Sequence, residues 1–139
     1  MIILDTSGLL SAIDASQRHH AACAEILAEA TRPLELSPFV LAELDYLLAT
    51  QVGGQAQLAL VDEVARGVYR LESFSAHDVA VAGDVMRRYA NLAIGLADAS
   101  IVVLAQRHGT RDVLTLDERH FRAVRAADGR RFRLLPADR

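Results

Sequence analysis

The sequence predicts an α/β domain built on a central, mostly parallel sheet flanked by helices. Short apolar runs rich in branched residues alternate with longer Ala- and Leu-rich segments of helical period, the pattern of strands joined by helical crossovers. Prolines, glycines and capping residues punctuate the chain where helices would begin and end. A length of 139 residues suits one domain with one core, so residues 1–139 are read as a single domain.

Ile2-Ile3-Leu4 reads as a short buried strand ending at Asp5, with a helix following from Ser7 to Ile13. Residues from about His20 to Ala30 have apolar positions at helical spacing, and Pro33 closes that segment. Leu34–Leu36 is a second strand. Ser37-Pro38 reads as an N-cap followed by proline in the first helical position, opening a helix to about Thr50. Gly53-Gly54 break the chain before a helix over Gln55–Arg66, and Val68–Leu71 is a third strand. Ser75 and Asp78 have the spacing of a capping box for a helix through Tyr89. Leu96–Arg107 is a strongly apolar helix stopped by Gly109. A strand over Val113–Leu116, a helix over Glu118–Arg125 and a strand over Phe132–Leu135 complete the chain.

Composition excludes several classes. About half of the residues are apolar and a quarter charged, so the chain is globular rather than disordered. No apolar run approaches the roughly 18 residues needed to span a bilayer. The first residues meet an acid at once and lack a basic stretch, so no signal peptide is expected. Cys23 is the only cysteine, which excludes an internal disulfide and a cysteine-based zinc cage. A cytoplasmic protein without membrane contact is the expectation. No lysine occurs, so mechanisms that need a catalytic lysine are excluded.

The net charge of −3 conceals an asymmetry. Residues 1–65 carry nine acids against Arg18 and Arg32, whereas residues 107–139 carry nine arginines against five acids. An acidic first half joined to an arginine-rich tail exceeds what a plain solvated surface requires.

Four acids stand in unusual places. Binding sites of parallel α/β sheets collect at the carboxyl ends of the strands. Asp5 directly follows the first strand, and Asp117 follows Val113-Leu114-Thr115-Leu116. Each also suits a helix N-cap, the commoner role. Asp98 shares a helical face with Ile101, Val102 and Ala105, where a carboxylate is costly unless paired or bound to a cation. Glu43 and Asp45 both have apolar neighbours at helical spacing, and spacing leaves the choice between them open. One of the two is expected to face inward.

Several carboxylates in one cleft repel, so either their pKa values rise or a cation joins them. Oxygen-only donors select a hard ion, Mg²⁺ or Mn²⁺. Such a site suits phosphoester hydrolysis. Thr6, Ser7 and Thr115 are placed to add hydroxyl contacts. Among the histidines, His19 and His20 cannot converge on one helix face. His120, three residues after Asp117, is the only one near the acids.

Ile3-Leu4-Asp5-Thr6-Ser7, an acid on the helix after Ser37-Pro38, Gly95-Leu96-Ala97-Asp98-Ala99, and Leu114-Thr115-Leu116-Asp117-Glu118-Arg119-His120-Phe121 together resemble the PIN-domain ribonucleases, and within them the VapC-type toxins of bacterial toxin–antitoxin pairs. The resemblance runs from residue 1 to about residue 135. It implies that Asp5, Glu43, Asp98 and Asp117 are the metal-binding, catalytic acids, which chooses Glu43 over Asp45. A fifth ligand at Glu118 or Arg119 does not follow. It also implies a three-layer α/β/α fold, cleavage of tRNA or ribosomal RNA with Mg²⁺ or Mn²⁺, a homodimer, and inhibition by a cognate antitoxin. An acidic pocket repels RNA, and the arginines after residue 106 are the obvious supply of phosphate contacts.

Three rival readings fit these residues less well. An aspartate-nucleophile phosphohydrolase requires a second acid where Ser7 stands and a lysine. A phosphoacceptor receiver domain lacks the same lysine. A PIN-like module that only binds protein or RNA leaves the complete acid set without a purpose. The apolar residues Leu44, Leu47, Leu48, Leu58, Leu60 and Val61 exceed one core stripe, so a partner chain is expected to cover the excess.

Overall fold

The computed structural model describes residues 1–139. The elements are β1 (Ile2–Leu4), α1 (Thr6–Ile13), α2 (His20–Glu29), β2 (Leu34–Leu36), α3 (Pro38–Gln51), α4 (Gly54–Ala65), β3 (Arg70–Leu71), α5 (Ala76–Arg88), α6 (Leu96–His108), β4 (Asp112–Leu114), α7 (Glu118–Ala123) and β5 (Arg133–Leu135), with a 3₁₀ turn at Ala90–Leu92. The sheet order is β3-β2-β1-β4-β5, and every pairing is parallel. The chain winds outward from β1 to β3 on one side, then returns to place β4 on the other. The crevice where the order reverses therefore opens beside the carboxyl ends of β1 and β4, the place where such sheets bind ligands.

The central strands β1 and β2 are buried on both faces, as a parallel sheet covered by helices requires, while the edge strand β3 is exposed. Ile3, Leu4, Leu36, Val113, Leu114 and Leu134 are inaccessible to solvent. Glu35 interrupts this apolar set. It lies on the sheet face that carries α6 and is also wholly buried, paired with Arg70. Helix α6 is enclosed from Ala99 to Ala105, which explains its lack of a polar stripe.

Two contacts set the positions of the helices around the crevice. A Cβ on Gly8 would stand 2.4 Å from the Leu114 carbonyl oxygen, so only glycine lets α1 approach β4 this closely. Ser37 caps α3 by accepting from the Phe39 amide, as expected. Its hydroxyl also meets that of Ser100 at 2.6 Å, and Ser100 donates to the Ala97 carbonyl. The start of α3 is thus tied to the first turns of α6.

The outer edge of β5 is closed from within. Asp138 accepts from the Leu134 amide and donates its own amide to the Leu134 carbonyl. Arg122 holds the Asp138 carboxylate through two hydrogen bonds of 2.6 and 2.7 Å. That guanidinium, with the Leu134 amide, holds the Asp138 carboxyl down to about 2.

The structure departs from the sequence reading in small ways. β4 leaves the ladder at Leu114, although the Thr115 amide still reaches the Leu135 carbonyl. α7 stops at Ala123 because Val124 turns to extended backbone. The extended stretch before Leu71 pairs over only two residues. No helix is long and apolar enough to cross a membrane.

Candidate active site

A cavity of about 330 Å³ opens at the β1/β4 crevice, and Asp5, Glu43, Asp98, Asp117 and His120 line it with Thr6 and Ser7. The four acids singled out in the sequence therefore reach one cavity from four different elements.

Asp5 sits at the N-cap position of α1, yet its side chain makes no capping hydrogen bond. Its Oδ2 instead accepts from the hydroxyls of Thr115 at 2.6 Å and Ser7 at 3.0 Å. Those hydroxyls are oriented in turn by backbone amides. Leu116 N–H donates to Ser7, and Asp117 N–H donates to Thr115, both at 2.9 Å. Asp5 is 4% exposed. Burial, with a smaller push from the Asp98 charge, raises its carboxyl to about 6 despite the two hydroxyls, which act the other way.

Asp98 lies in the first turn of α6, where the helix dipole favours a negative charge. Burial pushes its carboxyl above the usual range, while His120 opposes the shift. Asp117 does cap α7, accepting from the His120 amide at 3.0 Å. Its other oxygen is 3.0 Å from His120 Nδ1, and Asp98 Oδ2 is 3.1 Å from the same nitrogen. One ring nitrogen thus stands between two carboxylates. The position three residues after a helix-capping aspartate was the visible signal for His120. Its bridging role was not legible, because Asp98 comes from another helix.

Glu43 stands on α3 at the exposed rim of the cavity. Asp45 turns away and accepts from Gln57 Nε2 at 2.8 Å. Of the pair it is Glu43 that faces the cavity, from its rim, with its carboxylate in reach of water.

The donors fit a hard cation. No lysine or arginine lines the cavity, and its carboxylates repel one another. The Thr6 hydroxyl is buried without a hydrogen-bond partner, so the cavity wall retains an unused polar group. Oxygen donors around such a space suit Mg²⁺ or Mn²⁺.

Five of the nine arginines after residue 106 are committed to the protein's own acids, Arg130 to Asp128 among them. Arg107 pairs with Glu72 and Asp78, Arg122 with Glu118 and Asp138, Arg133 with Asp112, and Arg139 with Glu25 and Glu29. Arg119, like Arg111, Arg125 and Arg131, makes no such pair; it is exposed on α7, between Asp117 and His120 in sequence.

Comparison with known proteins agrees with this architecture. The PIN domain family profile matches residues 2–127. Ribonuclease VapC26 of Mycobacterium tuberculosis is 45% identical over 135 residues, covering 97% of this chain and all of that protein. The crystal structure of Mycobacterium tuberculosis VapC20, described as a sarcin-ricin loop cleaving toxin, superposes with a TM-score of 0.79 at 22% identity. That match covers 84% of this chain and 90% of VapC20. Asp5-Thr6-Ser7 and the acids at 43, 98 and 117 all lie within the matched span. The chain belongs to the PIN-domain family, and within it to the VapC ribonucleases.

Proposed function

We propose that this protein is a divalent-metal-dependent endoribonuclease that hydrolyses one phosphodiester bond in a structured RNA, tRNA or ribosomal RNA, as the toxin of a toxin–antitoxin pair. The convergence of four carboxylates on one cavity that no lysine or arginine lines carries the reading. The names of its relatives, a ribonuclease and an RNA-loop-cleaving toxin, point the same way.

Asp5, Glu43, Asp98 and Asp117 would hold Mg²⁺, with Mn²⁺ as the alternative. When bound, the ion supplies activation of water and stabilisation of charge on the phosphoryl group. The chain's own groups do the positioning. Thr115 and Ser7 fix the Asp5 carboxylate from two sides. His120 Nδ1 lies between Asp98 and Asp117 and orients their carboxylates. Arg119 is available for the RNA backbone beside the cleft.

A homodimer and a cognate antitoxin belong to the same proposal. Leu44, Leu48 and Leu60 are buried in the monomer, but Leu58 is 64% and Val61 44% exposed, with Tyr46 at 67% on the neighbouring helix. A second copy would cover that face. The antitoxin would close the cleft, in the cytoplasm where the RNA is.

The test is cleavage of total RNA with Mg²⁺ and with EDTA, followed by mapping of the new 5′ ends. The expected result is one dominant cut in a tRNA or ribosomal RNA, abolished by EDTA and by Asp98→Asn. RNA that is bound but never cut would favour the competing reading of a binding module. Cleavage that persists in Asp98→Asn would remove the acid cluster from the chemistry.

A further inference from the structure

A second cluster of ligand-type side chains lies apart from the nuclease cleft. Glu35 on β2, Glu72 just after β3 and His108 in the last turn of α6 each offer one ligand atom, all within 4.8 Å of one another. His108 follows Asp98 by ten residues on the same helix, so the two clusters are separated by about 15 Å of helix rise.

The Glu35 carboxylate points to a ligand here. It sits in a strand otherwise made of leucine, and its side chain has no solvent exposure. Its Oε1 faces the Arg70 guanidinium. Its Oε2 is buried, has no hydrogen-bond partner and lies 3.7 Å from His108 Nε2. A buried carboxylate oxygen without a hydrogen bond is expensive, and natural structures rarely leave one so.

The surrounding charges crowd Glu35 Oε2 against the other two atoms, which are hydrogen-bonded to each other. Arg107 donates to Glu72 Oε2 at 3.0 Å, and Glu72 Oε1 is hydrogen-bonded to His108 Nε2 at 2.6 Å. Arg70 Nε is 3.5 Å from that same Glu72 oxygen. Glu35, Glu72 and Asp78 provide three carboxylates, and Arg70 and Arg107 provide two guanidiniums. Outer oxygens held by donors while inner oxygens face a common point is the arrangement found around metal ligands.

We propose that Glu35 Oε2, Glu72 Oε1 and His108 Nε2 form a structural Zn²⁺ site that fastens the β2–β3 side of the sheet to the end of α6. The imidazole favours Zn²⁺ over Mg²⁺, which prefers an all-oxygen octahedron. Tetrahedral zinc with ligands near 2 Å places donor atoms about 3.3 Å apart. The observed 2.6 and 3.7 Å separations from His108 Nε2 bracket that value. A water would complete the tetrahedron.

The experiment removes the nuclease cleft from the readout by using the full chain with Asp98→Asn and Asp117→Asn. Isothermal titration with Zn²⁺ should give one site per chain. Zn²⁺ should raise the melting temperature by about 5 °C or more, and Mg²⁺ at the same concentration should not. Adding His108→Gln should abolish both effects. No Zn²⁺ binding in the cleft-disabled chain, or undiminished binding after His108→Gln, overturns the site. In case His108→Gln fails to fold, crystals of the cleft-disabled chain soaked in Zn²⁺ provide a reading free of that substitution. An anomalous peak at the zinc edge between Glu35, Glu72 and His108 supports the proposal, and its absence there overturns it.

Discussion

Thr115 donates its hydroxyl to the Asp5 carboxylate at 2.6 Å, linking residues 110 positions apart in the chain. The same hydroxyl accepts the Asp117 amide, so one side chain touches both strand-end acids. Hydrogen bonds to a charged group contribute about 1.5–3 kcal/mol. Thr115→Val should therefore slow metal-dependent RNA cleavage by roughly 10- to 100-fold. Thr115→Ser, which keeps the hydroxyl, should stay near wild type. The comparison of the two rates at saturating metal checks this. Equal rates for Val and Ser would show that the hydroxyl is dispensable.

Asp5 gives a pH dependence with a defined sign. Its folded-state carboxyl is raised to about 6 from 3.8, so between those values the folded chain holds a proton that the unfolded chain has lost. Stability contributed by this group is full below the lower value and lost as pH rises through the higher one. The ionised form destabilises the metal-free fold by about 3 kcal/mol above that range. Asp5→Asn should accordingly stabilise the protein in EDTA at pH 7.5 by about 1–3 kcal/mol and have little effect at pH 4. It should also lower cleavage by orders of magnitude. Denaturant melts at both pH values test the stability, and a gain of equal size at pH 4 would contradict the assignment.

Arg119 and Arg122 lie on the same short helix but have opposite expectations. Arg122 is occupied by Glu118 and Asp138, whereas Arg119 is exposed without an acidic partner. Arg119→Ala should raise KM for RNA several-fold, leave kcat close to wild type, and flatten the salt dependence of binding. Arg122→Ala should act on stability instead. An unchanged KM and salt slope for Arg119→Ala would exclude it from the RNA interface.

The exposed apolar face on α3 and α4 makes a prediction about assembly. Leu58→Glu should convert a dimer at micromolar concentration into a monomer without loss of helical content. Sedimentation or light scattering measures it. A wild-type chain that is already monomeric would show that something else covers Tyr46, Leu58 and Val61.

The sequence revealed local features well and convergent ones poorly. Ser37-Pro38 and Ser75 with Asp78 announced their helices because a cap is decided within a few residues. Asp5, Asp98 and Asp117 were visible as acids set against apolar patterns. The choice of Glu43 over Asp45 was not, since both have apolar neighbours on α3 and only the packing of α4, through Gln57, draws Asp45 aside. The arginine tail looked like an open basic surface. Its acids were distant in sequence, as in Arg139 with Glu25 and Glu29, so composition overstated the free positive charge. Glu35 gave no sign of its burial, because a single acid between leucines reads equally as the solvent face of an edge strand.

Asp138 occupies the one amide and one carbonyl that β5 would otherwise present outward at Leu134. At the opposite border, β3 spans only two residues. Neither margin of this sheet therefore offers a run of free backbone groups on which another chain could build a strand. Self-association by strand pairing, the usual hazard of an open sheet edge, is closed off at one margin by a single aspartate and at the other by brevity. Whatever protein docks on this molecule must recognise its side chains, on the helical faces or in the cleft, and its specificity is then written in residues that can change without disturbing the sheet.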